Sequence, residues 1–415
     1  MFRNLLALAV LLALSAAPLA QQTDGGRPSF ISEADWTQIK PHIDPERVQW
    51  NPYRGLAVRK DGGPYRILDL RTWMGDDFQV VGYGLLKTQL EAAGVKYTML
   101  SAEFDAPAQA RMLEDAIATK SYDAIILHPV DRVAMAAPVE KAIAAGIDVY
   151  GWITPVQTPK LTAFAGYKSD EMDANGQIGK YFLDLAQKAG ATPDKPFIVL
   201  EIWGSRALPI CVERYNGVKM GLGDSGIVKV VESVDTGGQP EAQLKAIQDA
   251  FAKYSNISGI YPQFGDANAT IEGLRSVGRL APIGDPKHVA VILQDVDKAM
   301  LPPVRDGTFD GTVSNGPWQQ ADVVIKQFLW HTVLKQPLQD GDPLAGKVDL
   351  PRKVLVPEPF LTDKTIDTKA GQLWGATIAF TDMPLGKWTY WPTLDTTSIG
   401  LPVPTLADRK RLVGY

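Results

Sequence analysis

The chain has 415 residues, 45% hydrophobic and 21% charged, an ordinary globular balance with room for two to three domains of about 150 residues. Forty-two basic against 47 acidic side chains leave a net charge of -5, which excludes the basic footprint of a nucleic-acid binder. The single Cys211 excludes an internal disulfide, and His42, His128, His288 and His331 are too scattered for a local metal motif, so neither cofactor nor metal is expected.

Arg3, the unbroken apolar run Leu5 to Leu14 and the small residues Ser15 to Ala20 form a secretory signal pattern over residues 1–20. The run is shorter than the roughly 20 residues that span a bilayer. It therefore predicts a periplasmic, exported chain with no membrane insertion after cleavage. Residues 21–63 are rich in Pro, Gly and polar groups and read as an irregular N-terminal extension.

From Tyr65 the pattern alternates. Strands are predicted at Tyr65 to Leu70, Val95 to Leu100, Ala124 to Leu127 and Ile147 to Trp152, with helices at Phe78 to Ala93, Pro107 to Thr119 and from Pro138 to Gly146. A second round follows: helix Asp170 to Ala189, strand Phe197 to Ile202, helix Val212 to Met220, strand Ile227 to Val234 and helix Pro240 to Tyr254. Strand Gly259 to Tyr261, a helix near Asn268 to Val277 and strand Val289 to Leu293 complete it. Continuous apolar runs such as Ala124-Ile125-Ile126-Leu127 suit parallel strands covered on both faces. The fold class is therefore α/β, with two doubly wound parallel-sheet units. Residues 366–415 carry Trp374, Trp388 and Trp391 without a clear period and are left as a C-terminal extension of unassigned fold.

Ligands of open α/β sheets bind beyond the carboxyl ends of the strands. Five aromatics fall there: Trp73, Trp152, Trp203, Phe264 and Trp318. Each alone suits a core position, but five on one edge point to a ligand cleft. Asp76, Asp266, Asp295 and Asn315 lie beside them, as do Arg71, Asp77, Glu201, Arg206 and Asn268. Flat C–H faces edged by hydroxyls make a sugar a fit for such a set, and a planar aromatic or a small cation would also fit. For Asp76 and Asp77, just ahead of a helix, capping is an equal alternative.

Arg66-Ile67-Leu68-Asp69-Leu70 followed by an aromatic, Tyr122 to Asp131, Ala144 to Val149, Glu213-Arg214-Tyr215-Asn216-Gly217 and Val291 to Asp295 occur in an order and spacing that resemble the type I periplasmic sugar-binding proteins over about residues 64–360. The resemblance implies two similar lobes joined by three hinge crossings, closing on a small ligand offered to an ABC permease or a sensor. It places 64–165 plus 316–340 in the first lobe and 166–315 plus 345–365 in the second. Carried over by position, it puts an aromatic contact on Trp73 with Phe78 as a second, acids on Asp266 and Asp295, and an amide on Asn315. The family's Asp-Arg pair after the fourth strand is replaced by Trp152-Ile153-Thr154, and Val212 stands where an Arg is common, Arg214 corresponding to a structural Arg. Losing those bidentate hydroxyl partners argues against a common pentose or hexose and for a more apolar pocket. The chain is also similar to the periplasmic sensor-accessory protein of the trimethylamine N-oxide respiratory system.

Other motifs carry less. Gly223-Asp224-Ser225-Gly226 lies in an α/β context foreign to serine-protease barrels, and Gly82-Tyr83-Gly84 lies inside a helix, unlike a dinucleotide fingerprint. Cys211 reads as a small buried residue. A non-enzymatic receptor delivering a sugar or sugar-sized ligand to an ABC permease is the leading expectation. A ligand-sensing accessory to a membrane histidine kinase, contacting its ectodomain, is the alternative, and an exported glycoside hydrolase using Asp295 and Asp297 is a third.

Overall fold

The structure, a computed structural model, describes residues 22–23, 27–28, 57, 59, 61–75, 77–167, 175–295, 298–313, 317–333, 335, 337–340, 352–356 and 360–366. The signal pattern at 1–20, most of 21–63, and 367–415 lie outside the described residues.

The first lobe begins with β1 (Arg66–Arg71), whose Ile67, Leu68 and Leu70 are fully buried. It continues through α1 (Asp77–Ala93), β2 (Lys96–Ser101), α2 (Ala106–Thr119), β3 (Ala124–Leu127), α3 (Ala136–Ala144), β4 (Asp148–Ile153) and β5 (Ala163–Tyr167). The helix boundaries have local causes. Gly94, at φ +101°, ends α1 in a conformation that favours glycine. The Asp105 carboxylate caps α2 by accepting from the Ala108 N–H at 2.8 Å. All four residues of β3 are buried, as a parallel strand covered by helices on both faces requires.

The second lobe repeats the scheme with α4 (Asn175–Lys188), β6 (Phe197–Ile202), α5 (Pro209–Leu222), β7 (Val228–Glu232), α6 (Pro240–Lys253), β8 (Ile257–Pro262), α7 (Ala267–Ser276), β9 (Ala290–Gln294), α8 (Leu301–Arg305) and β10 (Gly311–Val313). The chain then returns to the first lobe as α9 (Pro317–Phe328), packed on α1 and β5. Two late strands, β11 (Lys353–Val356) and β12 (Phe360–Leu361), follow.

Each lobe holds a six-stranded sheet. The orders are β11-β5-β4-β3-β1-β2 and β12-β10-β9-β8-β6-β7, all neighbours being parallel except the antiparallel pair β10 and β12. The chain passes between the sheets three times, between Tyr167 and Asn175, Val313 and Pro317, and Val356 and Phe360.

One expectation is corrected. Residues 345–365 were assigned to the second lobe, but Lys353–Val356 pairs in parallel register with Phe164–Tyr167 of the first sheet, and among the described residues of that segment Phe360–Leu361 joins the second. The Val354-Leu355-Val356 run suits the open edge of β5, where Val354 is buried. That edge could not be inferred locally, because the Gly and Ala content of Ala163–Tyr167 hides a strand.

Candidate functional site

A cavity of about 90 Å³ lies between the lobes, several times the roughly 15 Å³ that one water needs. Its walls come from the carboxyl ends of the parallel strands. Thr72 and Trp73 follow β1, Phe104 follows β2, His128 follows β3, and Ile153 ends β4 with Thr154 just after it. Opposite them, Leu208 stands just before α5 and Ile210 in its first turn, Phe264 follows β8 and Asp295 follows β9. This is where an open α/β sheet exposes the chain ends of adjacent strands to one ligand.

On the first lobe, Trp73 packs against Phe104 with ring centroids 5.1 Å apart. Phe78 stacks on Trp152 at 5.7 Å and 21°. Behind this aromatic wall lies a buried polar layer. The Arg71 guanidinium sits 4.0 Å over the Trp152 ring, and its Nε donates to both Asp69 carboxylate oxygens, at 2.8 and 2.7 Å. Tyr97 donates its hydroxyl to the same carboxylate. Burial raises the Asp69 pKa against the opposing pull of Arg71. Arg71 Nη1 also donates to Gln79 Oε1 at 3.3 Å, so the Gln79 side chain reaches the cavity wall with its carbonyl end already engaged.

The loop after β3 is fixed by a buried side chain. Gln109 of α2 donates to the His128 carbonyl at 2.8 Å and accepts from the Val130 N–H at 2.8 Å. Burial, helped by the Arg71 charge, pushes the His128 pKa down to about 3. The imidazole is therefore neutral across the physiological range, and its Nδ1 is buried without a protein partner.

On the second lobe, Arg214 of α5 is almost fully buried. Its Nη1 donates to the Gln263 carbonyl, its Nη2 lies 3.9 Å from Asp295 Oδ1, and its guanidinium is 5.6 Å from the Phe264 ring. Burial raises the Asp295 pKa while Arg214 lowers it, the net shift being upward. Asp295 also adopts φ +69°, uncommon for a non-glycine residue and typical of a constrained site. Behind this wall Gln263 Nε2 donates to Glu201 Oε1 at 2.7 Å. Burial pushes the Glu201 pKa up to about 8, and it raises that of the Cys211 thiol.

The two walls are joined directly. Arg132, which lines the first-lobe side, donates from Nη1 to Glu213 Oε1 of α5 at 2.9 Å.

Trp73, Phe78, Phe264 and Asp295, expected from the sequence, all line the cavity. Three other expected residues sit elsewhere. Trp152 is fully buried behind Phe78. Trp203 is buried between Arg206, 4.4 Å from its ring, and Tyr215, 5.0 Å away, and its Nε1 donates to Glu232 at 3.0 Å. Asp266 caps α7, accepting from the Ala269 N–H at 2.6 Å. Asp76, Asn315 and the Trp318 side chain lie outside the described residues. Gln79, Phe104, His128, Arg132 and Ile210 were not foreseen as site residues. His128 stands directly after a buried strand, so the strand-end rule contained a signal for it, whereas Arg132 and Ile210 have none in their local pattern.

Among the described residues no group of His, Cys, Asp and Glu could hold a metal ion, and no helix is long and apolar enough to cross a membrane.

A family model described as periplasmic binding protein domain matches residues 72–330. No curated protein matches the chain. Among solved structures, one from Mycobacterium smegmatis in complex with β-D-fucofuranose is 17% identical, covers 76% of this chain and 97% of its own, and superposes with a TM-score of 0.62. A carbohydrate transporter solute-binding protein from Agrobacterium radiobacter in complex with D-arabinose is 20% identical over 74% of this chain and 98% of its own, with a TM-score of 0.61. An ABC transporter solute-binding protein from Bacillus halodurans with bound myo-inositol is 19% identical over 76% of this chain and 100% of its own, with a TM-score of 0.60.

Proposed function

This chain belongs to the periplasmic binding protein domain family, and on that premise we propose that it is an exported, non-enzymatic receptor that closes its two lobes on a neutral, sugar-sized solute and presents it to an ABC permease. The observation that carries the reading is the interlobe cavity. Aromatic faces, Trp73 and Phe78 on one side and Phe264 on the other, accompany polar groups at Gln79, His128 and Asp295. Flat C–H faces of a sugar or cyclic polyol suit the rings, and hydroxyls suit the amide, imidazole and carboxyl. The cationic groups at the site each have an acidic neighbour: Arg132 has Glu213, Arg214 has Asp295 and Arg71 has Asp69. A neutral ligand therefore meets no uncompensated charge. Similar structures hold D-arabinose and myo-inositol, which places such ligands first in the panel to test. The signal pattern at residues 1–20 supports export.

Hinge closure turns binding into a message, because the membrane partner meets a different surface in the closed form. The test is thermal unfolding of the mature chain, followed by tryptophan fluorescence, against mono- and oligosaccharides, cyclic polyols, small amines and aromatic acids. A ligand at 100 times its Kd adds about 2.7 kcal/mol to the folded state. A shift with a monosaccharide or polyol, with the ligand recovered unchanged, supports the receptor reading. A shift only with amines or acids, or turnover of the ligand, overturns it. Recovery of an ABC permease with the liganded receptor tests the delivery step, and recovery of a histidine kinase instead overturns it.

A further inference from the structure

Among the described residues that line the cavity, two carry a guanidinium, Arg132 on the first lobe and Arg214 on the second. They are placed differently. The Arg214 side chain is 3% exposed and turned into its own lobe, where Nη1 donates to the Gln263 carbonyl and Nη2 lies near Asp295. The Arg132 side chain is 21% exposed and reaches out of its lobe to Glu213 on the facing one. A guanidinium carries five N–H donors in a planar fork, and Nη1 spends one of its own on Glu213. Arg132 Nε is buried and has no protein hydrogen-bond partner. A buried donor left unpaired costs free energy, which a ligand oxygen recovers by accepting from the same group.

The loop that presents Arg132 is held by bonds that do not use this side chain. Asp131 Oδ1 accepts from the Val133 and Ala134 N–H groups at 2.8 and 2.9 Å, and the Arg132 carbonyl accepts from the Gln157 N–H at 2.9 Å. Gln109 grips the same loop two residues earlier, at Val130. These bonds fix where Arg132 starts, and its guanidinium is left to act in the cleft.

We propose that Arg132 is a ligand-binding residue that couples the solute to the second lobe, its guanidinium donating to an oxygen of the bound solute while Nη1 holds Glu213. The inference rests on the receptor reading and adds to it a contact residue and a route to closure. Glu213 balances the charge, so the oxygen Arg132 takes is an uncharged one, a hydroxyl or ring oxygen. Charge-assisted donors of this kind bond more strongly than neutral ones. A solute oxygen on one edge of the fork orients it, and an oriented fork meets the Glu213 carboxylate at lower entropic cost. Solute and latch then strengthen each other through one side chain, which supplies the differential affinity for the closed form that closure requires. An ion pair acting alone would favour closure equally with or without a solute.

The experiment is a double-mutant cycle on the full mature chain, R132Q, E213Q and the two together. Affinities are read by titration calorimetry with monosaccharides and cyclic polyols, D-arabinose and myo-inositol first. E213Q removes the latch alone and should cost about two- to fivefold. R132Q removes latch and solute contact together and should cost roughly tenfold or more. In the E213Q background R132Q should still cost about fivefold or more. That remaining loss should change little between low and high salt, because a bond to a neutral oxygen is not screened as an ion pair is. R132K keeps the charge but replaces the fork with a compact ammonium, so it should retain the salt-dependent part of the affinity and lose the rest. The variants should melt close to the parent, since the bonds that hold the loop do not use this side chain. Should R132Q fail to fold, R132K in the E213Q background decides by the same criterion, a further loss supporting the contact and none overturning it. A loss for R132Q no greater than that for E213Q, or none in the E213Q background, overturns the inference and leaves the receptor reading intact. If no sugar or polyol binds the parent protein, the receptor reading falls and this inference falls with it.

Discussion

Arg132 and Glu213 reach each other across the two lobes, Nη1 to Oε1 at 2.9 Å, although 81 residues separate them in sequence. The side chains are 21% and 28% exposed, so the pair's worth is modest, about 0.5–1 kcal/mol. Its partners stand on different lobes, so hinge opening would separate them and the energy would favour the closed form. Glu213→Gln should weaken ligand affinity two- to fivefold and leave the unfolding midpoint nearly unchanged. High salt should shrink the difference from the parent protein, as screening of a partly exposed pair requires. Calorimetric titration at two ionic strengths measures both effects, and an affinity loss independent of salt would remove the ion pair as its cause.

Trp73 and Asp266 look alike in the sequence, since both stand just beyond strand ends, yet the structure gives them different work. Trp73 lines the cavity beside Phe104. Trp73→Ala should cut affinity by tenfold or more, about 1.5–3 kcal/mol of lost ring burial, with little effect on folding. Asp266→Ala should do the reverse, lowering stability by about 1 kcal/mol through the lost α7 cap while affinity stays within twofold. Paired melting curves and titrations of the two variants distinguish these outcomes.

Glu201 makes stability depend on pH. Burial pushes its folded pKa up to about 8, against about 4.3 for the unfolded chain. The folded state then binds the proton more tightly, so the stabilisation is fully present below about pH 4 and is lost as pH rises toward 8. Glu201→Gln keeps an acceptor for the Gln263 amide and removes the titration. The variant should gain stability over the parent at pH 8 and show little or no gain near pH 4. Denaturant unfolding at both values measures it, and an equal effect at the two pH values would contradict the assignment.

Gly82 of α1 is the space into which Trp152 fits. A Cβ there would lie 2.5 Å from Trp152 Cζ2 and Cη2, and that ring is wholly buried beneath Arg71 and Phe78. Although alanine is the better helix former, Gly82→Ala should destabilise the first lobe by roughly 1–3 kcal/mol, as overpacking does. Because Phe78 stacks on Trp152, ligand affinity should fall as well. A stabilised variant would show that the ring can shift.

The neighbouring residues Trp152 and Ile153 show where sequence reading stops. Ala124–Leu127 and Phe197–Ile202 were predicted to the residue, because continuous apolar runs bounded by turns leave few alternatives for a parallel strand. The strand-end rule also found the right edge of both sheets, and with it Trp73, Phe264 and Asp295, while Phe78 came from the family resemblance. It could not resolve which side chain at an end faces the cavity. Successive strand residues point to opposite faces, so Ile153 reaches the cavity while Trp152, one position earlier, packs against α1.

The sequence alone determined the repeated βα pattern, the two parallel-sheet lobes and the edge on which a ligand would sit, because apolar period, caps and turn residues act within a few positions of the chain. Only the tertiary structure decided that Lys353–Val356 completes the first sheet, that Arg132 meets Glu213 and that Trp203 packs beneath Arg206. Those choices depend on how surfaces from distant segments meet, and their energies lie in contacts that no local pattern records.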